Sequence, residues 1–196
     1  MGKGADTVEA IRREAISEFR ARGFQAARLE DIAERLGITR AAVLHHYGAK
    51  DRLLGAVVAP YLDVIEATLG SFELSPQPSR QQLRDIVAAI VEVFFEHRLI
   101  AGILFRDVSS RTDQATEARI AASVNRFRKL ILGSESTEGD RCMVDLLLGA
   151  MLQPITDPDV DVDNPVTRST ILHVGLGIVN QMVSGTRRSE PLMFQT

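Results

Sequence analysis

ARLEDIAERLGITRAAVLHHY, residues 27–47, reads as two short helices joined by a tight turn. Leu29, Ile32, Ala33 and Leu36 recur at helical spacing and give the first helix one apolar face. Gly37 stands where that helix must stop, because glycine enters the left-handed conformation without a Cβ clash. Ile38 plugs the corner, and Thr39 offers a hydroxyl N-cap to a second helix from Arg40 to His46. Val43 points back towards Ile38, while Arg40, Ala41, Leu44 and His45 fall on the outward side. This is the plan of a helix-turn-helix, whose second helix enters the DNA major groove.

The rest of the chain suits a helical protein. Its 196 residues give room for one ordinary domain or two small ones, and 45% are hydrophobic, enough for a real core. Aromatics are scarce, and Gly and Pro cluster between periodic runs. The fold class expected is all-α: a three-helix head over residues 1–50, then a helical body over 51–196. The single cysteine, Cys142, excludes an intrachain disulfide. The N-terminus lacks the apolar run of a signal peptide, and no uninterrupted apolar stretch approaches membrane-spanning length. Gly2 begins a poor myristoylation pattern, since Asp6 stands where Ser or Thr is needed. A cytoplasmic protein with no membrane partner is expected. The net charge of −3 does not advertise a nucleic-acid binder. Its distribution is more useful: the first 56 residues carry ten basic and eight acidic side chains, the remainder thirteen and eighteen. An acidic body behind a mildly basic head would orient the protein on DNA.

Capping and periodicity place the other helices. Asp6 with Glu9 suggests a capping box for a first helix buried through Val8, Ile11, Ala15, Ile16 and Phe19, ended by Gly23. Lys50 opens a long fourth helix to about Leu69, with Pro60 inside it as a site for a kink. The lysine and the free amides at that helix start would suit a phosphate. Ser79 with Gln82 caps a fifth helix of clean amphipathic pattern, Leu83 to Phe95. A sixth covers about Leu99–Val108 and a seventh about Gln114–Leu132. Thr137 with Asp140 caps an eighth, which ends before Pro154, and Asn164-Pro165 starts a ninth that runs to about Val183.

Along this order the chain resembles the TetR family of transcriptional regulators. The resemblance is carried by Gly23-Phe24, Ile32-Ala33, Gly37-Ile38-Thr39, His46-Tyr47, Lys50 and Leu53-Leu54. It implies that Thr39, Arg40, Ala41, Ala42, His45 and His46 occupy recognition-helix positions. By the same resemblance Tyr47 packs the helix end and Lys50 binds phosphate. It implies dimerisation through the last two helices and an inducer held among the fourth to seventh. Where the family has hydroxyl residues before the motif, this chain has Ala27 and Arg28, so a phosphate contact passes to Arg28. Leu44 replaces the family's tyrosine. With Ala41 and Ala42 beside it, thymine methyls or DNA shape carry more of the specificity.

The expected function is a ligand-responsive, DNA-binding repressor released from a palindromic operator by a small, largely apolar molecule. Its partners would be double-stranded DNA, that inducer and a second copy of the chain. The inducer pocket is expected at Phe94, Phe95, Leu104, Phe105, Val124 and Phe127, with Arg106, Asp107, Asn125 and Arg126 near enough to anchor a polar group. The dimer interface is expected at Leu147, Met151, Leu172, Gly175, Leu176, Val179 and Val183. The alternative is a helical small-molecule binding protein without sequence-specific operator recognition. Enzymatic chemistry is not expected: there is no nucleophile–base pair, paired-carboxylate motif or metal spacing, and no cofactor signature. Asp157, Asp159, Asp161 and Asp163 alternate like a calcium loop but lack its glycine and closing glutamate. His97, His173 and Cys142 each stand alone.

Overall fold

The computed structural model describes residues 3–106, 113–133 and 136–185. They form nine α-helices and no strand: α1 Lys3–Ala26, α2 Leu29–Arg35, α3 Arg40–Tyr47, α4 Lys50–Gly70, α5 Arg80–Glu96, α6 Arg98–Arg106, α7 Gln114–Leu132, α8 Glu138–Thr156 and α9 Pro165–Gly185.

The first three helices and the start of α4 enclose one core. Ile11, Ala15 and Phe19 of α1 meet Leu29, Ile32 and Ala33 of α2, Val43 of α3 and Leu53, Leu54, Val57 and Val58 of α4. Gly23 takes φ +74° and kinks α1, so that Phe24 turns back against Phe19 with ring centroids 5.6 Å apart. The helix begins at Lys3, three residues before the expected cap; Asp6 lies in its first turn, and Glu9 pairs with Arg12 at 2.8 Å rather than closing a box. Val8 is more exposed than its place in the stripe suggests.

Glu18 of α1 is fully buried yet charged. Arg35 of α2 reaches its Oε2 at 2.7 Å and also holds Glu14 at 2.6 Å. Arg22 approaches Oε1 at 3.2 Å and Asp31 at 3.4 Å. This chain of charges fixes α2 on α1, since removing one partner of a buried pair strands the other.

The body has its own core from α4, α5, α7, α8 and α9, including Tyr61, Ile65, Leu83, Ile86, Val87, Ile90, Phe94, Phe127, Val144, Leu147, Met151 and Val179. Helix α4 therefore belongs to both cores, with Leu53–Leu62 in the head and Tyr61–Leu69 in the body. The head core thus continues past residue 50, where the domain boundary was expected. By length and composition α4 could cross a membrane, against the expectation that no stretch is long enough. Here its apolar side chains fill these two cores.

Caps act largely as the sequence suggests. The Thr137–Asp140 capping box is complete. Ser79 accepts from the Gln82 amide, but the Gln82 side chain goes instead to the Glu73 carbonyl. Asn164 accepts from the Val166 amide at 2.9 Å. Pro60 lies inside continuous α4. Helix α8 runs through Pro154 to Thr156, beyond its expected end. Pro154 has no amide proton, so the bond back to the Ala150 carbonyl is missing there while the helix continues.

Candidate nucleic-acid interface and ligand pocket

Helix α3 owes its position to the turn before it. Gly37 takes φ +64°, and the Ile38 amide donates to the Ala33 carbonyl at 3.0 Å. The Thr39 hydroxyl accepts from the Ala42 amide at 3.1 Å, which starts α3. Val43 is buried and anchors the helix. Thr39, Arg40, Ala41, His45 and His46 are left exposed, and Ala42 and Tyr47 half-buried. Leu44, expected outward, is half-buried against the head core. A leucine gains more from that apolar seat than from water. The Tyr47 hydroxyl donates to the Val8 carbonyl at 2.9 Å, tying the end of α3 to α1. Arg40 pairs with Glu30 of α2 at 2.8 Å, and both are well exposed. An exposed pair is weak enough to be exchanged for a phosphate.

The start of the motif differs from expectation. Arg28 is exposed and extended at the N-cap of α2, which has no side-chain cap. Lys50 does not stand free for phosphate. Its ammonium donates to the carbonyls of Phe24 at 2.8 Å, Gln25 at 3.1 Å and Ala27 at 3.1 Å, and lies 4.6 Å from the Phe24 ring centroid. A lysine has three protons to give, and all three close the frayed end of α1. The phosphate-suited feature that survives is the start of α4, whose N-cap Ala49 offers no side chain to its amides.

The family model described as "Bacterial regulatory proteins, tetR family" matches residues 11–57, the segment that builds this head. The head, residues 11–57, is therefore similar to the DNA-binding segment of the TetR family. Over 149 residues the chain is 25% identical to the HTH-type transcriptional repressor KstR2 of Mycobacterium tuberculosis, covering 76% of the chain and 68% of that relative. A bacterial regulatory protein of the tetR family from Rhodococcus RHA1 shares its fold at a TM-score of 0.70 and 18% identity, covering 91% of this chain and 98% of that one. AibR, solved in complex with isovaleryl coenzyme A and operator DNA, aligns at a TM-score of 0.64 and 18% identity, covering 87% and 96%. The chain is a DNA-binding transcriptional regulator, with the helix-turn-helix as its DNA-binding element.

The body holds a cavity of about 410 Å³ between α4, α5, α6, α7 and α8. Phe94, Leu104, Phe105, Val124 and Phe127, five of the six expected pocket residues, line it. Phe95 does not. It is buried on the far side of α5, where the Arg168 guanidinium of α9 lies 4.2 Å from its ring centroid. Adjacent helical residues diverge by about 100°, so Phe94 and Phe95 serve different neighbours. Residues the sequence reading missed include Tyr61, Ile65, Leu69, Ser123 and Leu148. Helical spacing puts Tyr61 and Ile65 on one apolar face of α4 without saying what that face covers. Of the polar anchors considered, Arg126 donates to the carbonyls of Leu69 and Phe72, capping α4, and Asn125 accepts from Arg128. The Arg106 side chain and Asp107 lie outside the described residues.

Part of the expected dimer stripe lies inside the subunit. Leu147, Met151 and Val179 are buried in the subunit's own core, and Gly175 packs against Met151 and Val87. Leu172 and Leu176 lean on the same core. The Val183 side chain lies outside the described residues. The outward face of α8 and α9 instead carries Leu146, 59% exposed, Val166, 72%, and Val174, 46%, with open space above Gly149 and Gly177. In the acidic loop, Asp159 and Asp163 close turns with Asp157 and Asp161, and Asp163 pairs with Arg98 at 3.3 Å. Among the described residues there is no metal-holding group.

Proposed function

We propose that the chain is a cytoplasmic, homodimeric repressor that leaves a palindromic operator when a small, largely apolar molecule occupies the body cavity. The observation that carries this reading is the cavity's shared wall. Tyr61, Leu62, Ile65 and Leu69 of α4 face it, and the same helix one to two turns earlier supplies Leu53, Leu54, Val57 and Val58 to the head. A ligand that favours one position of α4 therefore favours one placement of the head. It acts only through tighter binding to the DNA-incompetent state. Similarity to KstR2, named a repressor, supports the sign, and AibR, solved with both an acyl thioester and operator DNA, supports the pairing of ligand and DNA.

Two copies would meet through the outward face of α8 and α9, around Leu146, Gly149, Val174 and Gly177, where small residues allow close helix approach. Each head would then place α3 in a major groove, the half-sites about 34 Å apart or a multiple of that. Arg28, Thr39 and Arg40, with the α4 amides, hold the backbone; Ala41, Ala42, His45 and His46 face the bases. Mapping the genomic sites that the protein occupies in its native cell tests the reading. A palindromic consensus, lost on Arg40→Ala, is the expected result. Binding without any consensus would favour the alternative of a small-molecule binding protein.

A further inference from the structure

The cavity's polarity narrows what it accepts; the argument rests on the reading of this cavity as the effector site. Among the described residues lining it, only Tyr61, Glu117 and Ser123 carry polar side chains, and none is a lysine, arginine or histidine. Tyr61 is buried, and burial pushes its phenol well above the usual range, so it stays protonated. Glu117 is exposed, in the first turn of α7, and brings negative charge to the rim. Ser123 is different. It is 8% exposed, and its Oγ has no hydrogen-bond partner.

A buried hydroxyl normally finds a partner, and one left unmet costs stability. A mid-helix serine has an easy local solution, a bond to the carbonyl one turn back. Ser123 does not take it and lines the cavity instead. A carboxylate or phosphate entering the cavity would lose its water, find no cation in the described wall and pass Glu117 on the rim. A hydrocarbon body is well served by Ile65, Leu104, Val124 and Phe127. One uncharged oxygen would satisfy Ser123, whose hydroxyl both donates and accepts. A volume of about 410 Å³ lies within the range of small-molecule sites.

We propose that the cavity selects an uncharged hydrocarbon bearing one hydroxyl or carbonyl group, and that the Ser123 hydroxyl is the group that recognises that oxygen. Charged relatives of the same chain length, free carboxylates and coenzyme A thioesters, are selected against.

The test uses the full-length protein and diphenylhexatriene, a pure hydrocarbon fluorophore, as reporter. It is displaced in turn by n-octanol, methyl hexyl ketone, octanoate and octanoyl coenzyme A. The alcohol and ketone are expected to compete at concentrations at least about tenfold below those of the two anions. Ser123→Ala is expected to weaken the ketone and alcohol by roughly 2- to 10-fold while leaving the fluorophore's own affinity unchanged. Val124→Trp, which fills the cavity, should abolish fluorophore binding with helical content retained by circular dichroism. Stronger competition by octanoate or octanoyl coenzyme A, or a ketone affinity indifferent to Ser123→Ala, overturns the proposed selectivity and leaves the effector site standing. Fluorophore binding equal in wild type and Val124→Trp overturns both.

Discussion

Gly55 allows a sharp test of how the head helix is joined to the pocket wall. It is buried on α4, and the start of α7 lies against it. Asp113 caps α7, accepting from the amides of Ala115 at 3.1 Å and Thr116 at 3.2 Å and from the Thr116 hydroxyl at 2.9 Å. A Cβ at position 55 would overlap the Asp113 carboxylate and lie 2.9 Å from Thr116 Oγ1. Two effects then oppose each other. Alanine in a helix interior is better than glycine by about 1 kcal/mol. Displacing the carboxylate forfeits the cap, also about 1 kcal/mol. Gly55→Ala alone should therefore be close to neutral, and Asp113→Ala alone should cost about 1 kcal/mol. With both changes the clash is gone, the Thr116 hydroxyl is free to turn away, and alanine delivers its full helical gain. The double variant should return close to wild-type stability. The cycle predicts a coupling of about 1 kcal/mol, or about 2–4 °C in melting temperature for a chain of this length. Urea or thermal unfolding of the four proteins measures it. Additivity within about 0.3 kcal/mol would refute the contact between Gly55 and the cap.

Other outcomes follow from the same geometry. Lys50→Met should lower the melting temperature and leave the salt dependence of operator binding unchanged, whereas Arg28→Met should reduce that slope by about one unit; gel shifts over a salt series separate the two. Leu146→Glu with Val174→Glu should give folded monomers in sedimentation and weak operator binding, while Val179→Asp should unfold the body, because a buried unpaired charge has no compensation there. Arg35→Ala should lower the melting temperature more than Arg40→Ala, since only Arg35 holds the buried Glu18. The Thr116 hydrogen bond holds the Asp113 carboxyl below its ordinary value. Its stabilisation is therefore present above about pH 4 and is lost as acid takes the pH down through the folded value. Thermal melts between pH 6 and pH 3 should show a shallower loss for Asp113→Ala than for wild type.

What was legible in the sequence was local. The turn at Gly37, the Thr39 cap and the Thr137–Asp140 box each act within about four residues, so the pattern alone places them. Five of the pocket residues were legible for a related reason: Phe94, Leu104, Phe105, Val124 and Phe127 lie on periodic helices whose inner faces converge. Lys50 was not, because its acceptors at Phe24, Gln25 and Ala27 lie more than twenty residues earlier and exist only once α1 has kinked. Phe95 and the buried part of the α8–α9 stripe were not placed, for another reason. Periodicity shows which face is apolar but not which neighbour covers it, and Leu147, Met151 and Val179 are covered by their own subunit. Glu18 carried no apolar signal at all; only its two arginines, one on each of two helices, explain a carboxylate in the core.

The double membership of α4 also sets how little a ligand needs to do. A hundredfold loss of operator affinity corresponds to a coupling of about 2.7 kcal/mol between the two sites. At about 25 cal/mol per Å² of apolar surface, a difference of about 100 Å² in ligand burial between two positions of α4 supplies that. Tyr61, Leu62, Ile65 and Leu69 all sit on the moving wall, so a small displacement of this one helix changes the ligand's contact at four side chains together. The same displacement is transmitted rigidly to Leu53–Val58, because a close-packed core resists local deformation. On the proposed mechanism a modest apolar molecule would therefore be enough to switch the head on energetic grounds. The polar group against Ser123 would then decide which molecule does so, since burial alone favours any hydrocarbon that fits.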